Sequence, residues 1–285
     1  MCITMYRLIK YVEITRPVNS FMTGIGIVFA LLLYRGWRLD PILLLIGFIT
    51  GFLGTASTMI INDVVDREVD KINKPWKPIP SGYVDPFKAT ILSIVLLVIA
   101  ITINIFVGLT ALATAAIYGL IGYCYNLLRR YWWSHFLVAF STTVPTIYGY
   151  VLAGLPYDYL NLAVFYTLTI FTATLGREVV KAVMDMEGDK RYGYVTIPIK
   201  YGIEKARKII LATGLSAPLL GVLTGVLAGT TIYYYILITV TGIIYGTSMY
   251  EAYKWISDKQ VLENTRRKTL AAMMIGLVAF LVSKF

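Results

Sequence analysis

Nine apolar stretches constrain this 285-residue chain more than any other feature. They run approximately over residues 18 to 34, 41 to 61, 88 to 106, 109 to 128, 134 to 154, 159 to 177, 209 to 229, 231 to 253 and 268 to 284. Each is close to the ~17 to 25 residues with which a helix crosses a hydrocarbon core. The mean hydropathy of +0.70 and the charged fraction of only 15% agree with membrane residence. The expected fold is therefore all-α, a polytopic bundle of nine transmembrane helices. It forms a single intramembrane domain over residues 1–285, with no segment long enough to stand as a separate soluble domain. The junction between the third and fourth spans, Phe106–Thr110, is tight.

Lysine and arginine test this count, because basic short loops stay on the cytoplasmic side. With the N-terminus in the cytoplasm, 23 of the 26 Lys and Arg residues fall on that side, and only Arg35, Arg38 and Lys284 on the other. A miscounted span would scramble this partition, so the expected location is the cell membrane with a cytoplasmic N-terminus. The net charge of +10 becomes a one-sided basic fringe. It suits membrane lipids and phosphorylated ligands, although topology alone also accounts for it. No nucleic acid and no obligatory protein partner are expected. Cys2 and Cys124 cannot build a disulfide framework, and a single histidine, His135, excludes a His-rich metal site. The opening "MYRLIKYVEITRP" reads as a retained amphipathic segment.

Two polar segments interrupt the apolar pattern: "NDVVDREVDKINKPWKPIPSG" (Asn62–Gly82) after the second span, and "GREVVKAVMDMEGDKRYGYVTIPIKYG" (Gly176–Gly202) after the sixth. An even number of crossings separates them, so both belong on the cytoplasmic side. Each places acids after an apolar helix and ends near an Ile-Pro pair, Ile79-Pro80 or Ile197-Pro198, which suggests an ancient internal duplication. Gly221, Gly225 and Gly229 form a small-residue stripe that suits helix packing.

On a continuous helix, residues four apart are offset by about 40° and lie on one face. Asn62, Asp66 and Asp70 follow this spacing, whereas Asp63 and Glu68 fall about 100° and 120° from Asn62. Asp185 and Asp189 repeat the pattern, with Glu178 and Lys181 earlier on their stripe. A charge run is commonly a solvated helix end. Here, however, like charges at this spacing oppose the helix, and carboxylates beside hydrocarbon are costly unless a cation neutralises them. The donors are all oxygens, namely four aspartates and the Asn62 amide, which favours Mg2+ over zinc or copper. Mg2+ characteristically joins carboxylates to phosphates. Arg67, Lys74, Lys77, Lys181 and Lys190, within or beside the clusters, could neutralise the rest of a diphosphate.

"NDVVDREVD" fits an NDxxDxxxD motif and "DMEGD" a DxxxD motif, and together they resemble the UbiA superfamily of intramembrane prenyltransferases. The resemblance covers essentially the whole chain. The loops "DKINKPWKPIPSG" and "REVVKAVMDMEGDK" are most similar to the archaeal branch that attaches the second isoprenoid chain of ether lipids, and branches making quinones share related loops. The resemblance implies nine helices around a central cavity that opens to the cytoplasm. It makes Asn62, Asp66, Asp70, Asp185 and Asp189 the metal shell, with Asp63 a ligand through water or a capping group. "YNLLRR" and "TRPVN" bring in Arg129, Arg16 and Asn19, with a topological role equally open for the arginines. Tyr118, Tyr125 or Tyr148 could face a developing carbocation. Ala182 departs from the pattern, since related sequences often carry an acid there.

The implied reaction is Mg2+-dependent transfer, with two ions, of a geranylgeranyl group from geranylgeranyl diphosphate to the hydroxyl of 3-O-geranylgeranylglyceryl phosphate. Asp66, Asp70, Asp185, Asp189 and Lys181 are its expected catalytic residues. An aromatic prenyltransferase of the same superfamily is the alternative. A cation-coupled transporter is a remoter one, because transporter sites usually lie near the bilayer midplane.

Overall fold

The structure is a computed structural model that describes residues 2–36 and 40–284, apart from the side chains of residues 2–6, 72 and 73. Arg38 and the Cys2 side chain, used above, lie outside the described residues. The described residues form helices and turns, without a strand among them. Among the described residues, seven helical segments are long and apolar enough to cross a membrane, and the chain is a multi-pass membrane protein.

The fold divides into two compact units, Met1–Val28 with Leu39–Leu128, and Phe29–Arg38 with Arg129–Phe285. The first holds α1 (Cys2–Ile14), the start of α2 (Pro17–Arg35), α3 (Pro41–Val65), α4 (Arg67–Asn73), α5 (Pro86–Thr102) and α6 (Leu109–Leu128). Apolar side chains gain little from leaving lipid for another helix, so close packing and polar clamps hold membrane helices together. Gly24 and Gly51 allow α2 and α3 to meet at backbone distance: a methyl group on Gly51 would lie 3.0 Å from Gly24 Cα. Ser57 and Ser93 each donate to the other's carbonyl, at 2.8 and 2.9 Å, and tie α3 to α5. The tight third-to-fourth junction is a 3₁₀ turn over Ile103–Phe106, followed by Gly108 at φ +138°.

The second unit holds α7 (Ser134–Ser141), α8 (Val144–Leu152), α9 (Leu160–Met184), α10 (Met186–Arg191), α11 (Ile197–Tyr201), α12 (Ile203–Ala228), α13 (Ile232–Lys254) and α14 (Lys259–Leu281). The expected span 134–154 is two helices, interrupted at Thr142 and Thr143. Pro145 explains the interruption, since it cannot donate to, and clashes with, the carbonyl four residues earlier. The expected last span is the C-terminal part of α14, whose polar first turns keep it outside the seven apolar segments. Gly221 and Gly225 behave as packing residues: methyl groups there would lie 2.9 Å from Ile238 and from Tyr234, respectively, whereas Gly229, expected in the same stripe, instead ends α12 at φ +60°. Buried tyrosines clamp α9 to its neighbours. Tyr245 donates to the Ala173 carbonyl at 2.8 Å and Tyr166 to that of Gly276 at 2.5 Å.

Candidate active site

The first acid cluster forms where α3 stops. Asp66 closes α3 with ψ near 0°, and α4 begins at Arg67. Aspartate side chains compete for backbone partners and disfavour helix interiors, and four acids in nine residues add like-charge repulsion. The continuous stripe expected for Asn62, Asp66 and Asp70 is therefore broken at its middle member.

Lys77 Nζ lies 2.9 Å from Asp63 Oδ1 and 2.5 Å from Asp70 Oδ2, so it bridges the two carboxylates. Asp63, expected to point away from the stripe on its angle from Asn62, belongs with Asp70, from which seven residues turn it by only about 20° on a helix. Both are only 4% exposed. Asp66 Oδ2 instead accepts from the Asn62 amide at 2.7 Å. Lys77 reaches the carboxylates because its loop is anchored, with Ile79 buried against Ile14, Ile60, Val84 and Ala89. Backbone bonds from Ser81 to Lys77 and from Val84 to Pro78 fold the prolines around it.

Arg16 joins the same cluster, since its Nη2 donates to Asp63 Oδ1 at 2.8 Å. It occupies the α1–α2 junction at φ +46°, a left-handed conformation costing a non-glycine residue of order 1 kcal/mol. The ion pair with a buried carboxylate helps to hold it there. Glu68 lies outside the cluster: it is exposed and paired with Lys71 at 2.9 Å. That hydrogen bond holds its carboxyl below the usual range. Arg67 is also exposed and pairs with Glu68 at 3.4 Å. Lys74 and Asn19 are exposed, and Tyr125 is half-buried on α6.

The second cluster repeats this construction within its own unit. Asp185 closes α9 with ψ 0°, and α10 follows at Met186. The Asp189 amide donates to the Asp185 carbonyl at 2.9 Å, as that of Asp70 does to Asp66 at 2.8 Å. Asp189 is buried, while Asp185 and Lys190 are exposed. Lys181 occupies the place equivalent to Asn62, four residues before the junction, and lies 3.8 Å from Glu178. Ala182 occupies the place equivalent to Asp63, so this cluster lacks that acid. Ile197 and Pro198 are buried, anchoring the second loop as Ile79 anchors the first.

Arg129 and Arg130 are brought to this second loop. Val195 donates to the Arg130 carbonyl at 2.8 Å, and the Arg129 guanidinium lies 5.9 Å from the Tyr194 ring centre. Sequence spacing missed two of these features, the pairing of Asp63 with Asp70 through Lys77 and the role of Tyr194 beside Arg129. The first had a signal in the seven-residue spacing of Asp63 and Asp70, which leaves them on nearly one helix face, and the second had none.

The residues suit Mg2+. Among the described residues no three acid, histidine or cysteine side chains form a ready-made coordination sphere. Mg2+ does not require one, because it typically uses one or two carboxylates and completes its shell with water and phosphate oxygens. The Lys77 ammonium between Asp63 and Asp70 is a stand-in cation: it marks where two buried carboxylates accept positive charge. Mg2+ bound to such oxygens would neutralise charge on a phosphate leaving group.

The profile of the UbiA prenyltransferase family matches residues 23–281. A digeranylgeranylglyceryl phosphate synthase from Thermococcus sibiricus is 32% identical over 95% of this chain and 96% of its own length. A solved structure described as giving insights into digeranylgeranylglyceryl phosphate synthase in membranes is 29% identical, covers 98% of both chains and superposes with a TM-score of 0.79. A UbiA homologue from Archaeoglobus fulgidus, solved bound to GPP and Mg2+, shares the fold at 17% identity, over 95% of this chain and 99% of its own, with a TM-score of 0.72.

Proposed function

The chain belongs to the UbiA prenyltransferase family, and from that premise we propose that it transfers a geranylgeranyl group from geranylgeranyl diphosphate to 3-O-geranylgeranylglyceryl phosphate. An ether bond forms between the acceptor hydroxyl oxygen and the allylic carbon. The bond from that carbon to the diphosphate oxygen breaks, and the hydroxyl proton leaves with the released diphosphate.

Two Mg2+ ions, when bound, supply the electrostatic withdrawal that makes the diphosphate a leaving group. Asp63, Asp66, Asp70 and Asn62 would hold one, and Asp185 and Asp189 the other. Lys77, released from the carboxylates, with Lys74, Arg67, Lys181, Lys190, Arg129 and Arg16, neutralises phosphate charge. Tyr125 and Asn19 contact substrate. The acting side faces the cytoplasm, where the charge partition puts the N-terminus. The chain is one intramembrane domain of nine crossings, with α7–α8 and α14 supplying the two beyond the seven apolar segments. Lipid tails stay in hydrocarbon while anionic heads meet cations, and excluded water spares the allylic cation from hydrolysis.

The observation that carries the acceptor assignment is the similarity to the Thermococcus sibiricus synthase along nearly its whole length. Membership of a prenyltransferase family sets the transport alternative aside. Purified enzyme with Mg2+ and labelled geranylgeranyl diphosphate is offered either the glyceryl phosphate lipid or an aromatic acid. The expected outcome is label in the ether lipid, and label in the aromatic acid alone would overturn the assignment.

A further inference from the structure

Arg207, on the first turns of α12, and Lys254, the last residue of α13, line one open pocket of about 470 Å³. Trp255, Ser257 and Asp258 complete the part of its wall that matters here. None of these residues belongs to the acid clusters or to the basic groups assigned to the diphosphate.

Aromatic faces hold the two cations, and the ion pair that Arg207 makes is solvent-exposed. The Lys254 ammonium lies 5.3 Å from the Trp255 ring centre, and the Arg207 guanidinium 5.8 Å from that of Tyr253. An aromatic face orients a cation and leaves its charge intact. Two carboxylates are near, and neither cancels it. Glu204 approaches Arg207 only to 3.7 Å and its side chain is 70% exposed, where solvent screens an ion pair. Asp258 Oδ1 caps α14, accepting from the amides of Gln260 at 2.9 Å and Val261 at 3.2 Å. Arg207 Nε is buried and finds no hydrogen-bond partner among the described residues. A desolvated donor on a charged group is costly to leave unmet.

Arg207, Lys254 and Ser257, around one concavity, carry a guanidinium fork, an ammonium and a hydroxyl, the donors that match a tetrahedral oxyanion. We propose that this pocket is a second, non-catalytic anion site that binds a phosphate group, carried by an anionic lipid or free in solution. Trp255, more than half exposed, supplies an indole of the kind that favours the membrane–water boundary, where a lipid phosphate would present itself. The site is independent of the prenyl-transfer reading and stands or falls without it.

The test uses the full-length enzyme without divalent metal, in two arms. In detergent, radiolabelled orthophosphate binding is measured by equilibrium dialysis. In parallel, enzyme recovered from phosphatidylcholine vesicles containing phosphatidylglycerol is weighed by native mass spectrometry to count retained anionic lipid. Arg207→Gln/Lys254→Gln is expected to lose at least tenfold in binding relative to wild type in one arm or both. Arg207→Lys/Lys254→Arg, which conserves charge, retains it. Loss confined to the vesicle arm assigns a lipid headgroup, and loss in the dialysis arm a free phosphate. Equal binding by the double Gln variant and wild type in both arms would overturn the proposal. So would loss of binding in the charge-conserving variant to the same extent as in the Gln variant.

Discussion

Asp66→Ala and Asp185→Ala are each expected to lower Mg2+-dependent prenyl transfer by about 10²- to 10³-fold, the usual loss when one charge-stabilising group is removed from a reacting centre. The two aspartates sit in matched backbone positions, each closing a long helix with ψ near 0° before a short one begins. Their surroundings differ, however, since Asp66 is buried and Asp185 exposed. A purely structural role would therefore make Asp66→Ala damaging and Asp185→Ala nearly silent. A metal role makes the two losses similar and raises the Mg2+ concentration each variant needs. Initial rates across a Mg2+ titration, with thermal unfolding as a control, separate the two. Full Mg2+-dependent activity in both variants would falsify the metal assignment.

Lys77→Met is expected to make the enzyme's stability depend on Mg2+. In the wild type the Lys77 ammonium bridges Asp63 and Asp70, and its own side chain is only 18% exposed. Removing one partner from a buried ion pair commonly costs about 3 to 5 kcal/mol, because the remaining charge is left unmatched. Asp63 keeps Arg16 at 2.8 Å, so the cost should fall near the lower end and come mainly from Asp70. A divalent ion at the same carboxylates would restore what the ammonium supplied. Unfolding temperature in detergent should thus drop sharply for Lys77→Met in a chelator and recover with saturating Mg2+. The wild type, already neutralised, should change far less. A drop that Mg2+ leaves untouched would show that Asp63 and Asp70 do not take up the metal.

The apolar segments and the two polar interruptions were legible because burial in a membrane imposes length and composition directly on the sequence. The packing role of Gly221 and Gly225 was legible for a similar reason, since only a small residue permits that approach. The α7–α8 break had a visible signal in Pro145, masked by the uninterrupted apolar run around it. The geometry of the first cluster was only partly legible. On a continuous helix the seven-residue spacing leaves Asp63 only about 20° from Asp70 but about 10 Å away along the axis, and neither proline nor glycine marks the interruption at Asp66. What brings Asp63 and Asp70 together is a lysine seven residues beyond Asp70, delivered by a loop that Ile79 anchors to Ile14 and Ile60. Such a contact depends on tertiary packing that spacing along one helix does not encode.

Metal-assisted diphosphate departure at the two acid clusters is tested most directly by counting bound Mn2+, a paramagnetic substitute for Mg2+, by electron paramagnetic resonance in the presence of geranylgeranyl diphosphate. The expected result is two ions per wild-type chain, one lost in Asp66→Ala and one in Asp185→Ala. Wild-type protein that binds no Mn2+, or the same occupancy in all three proteins, would contradict it.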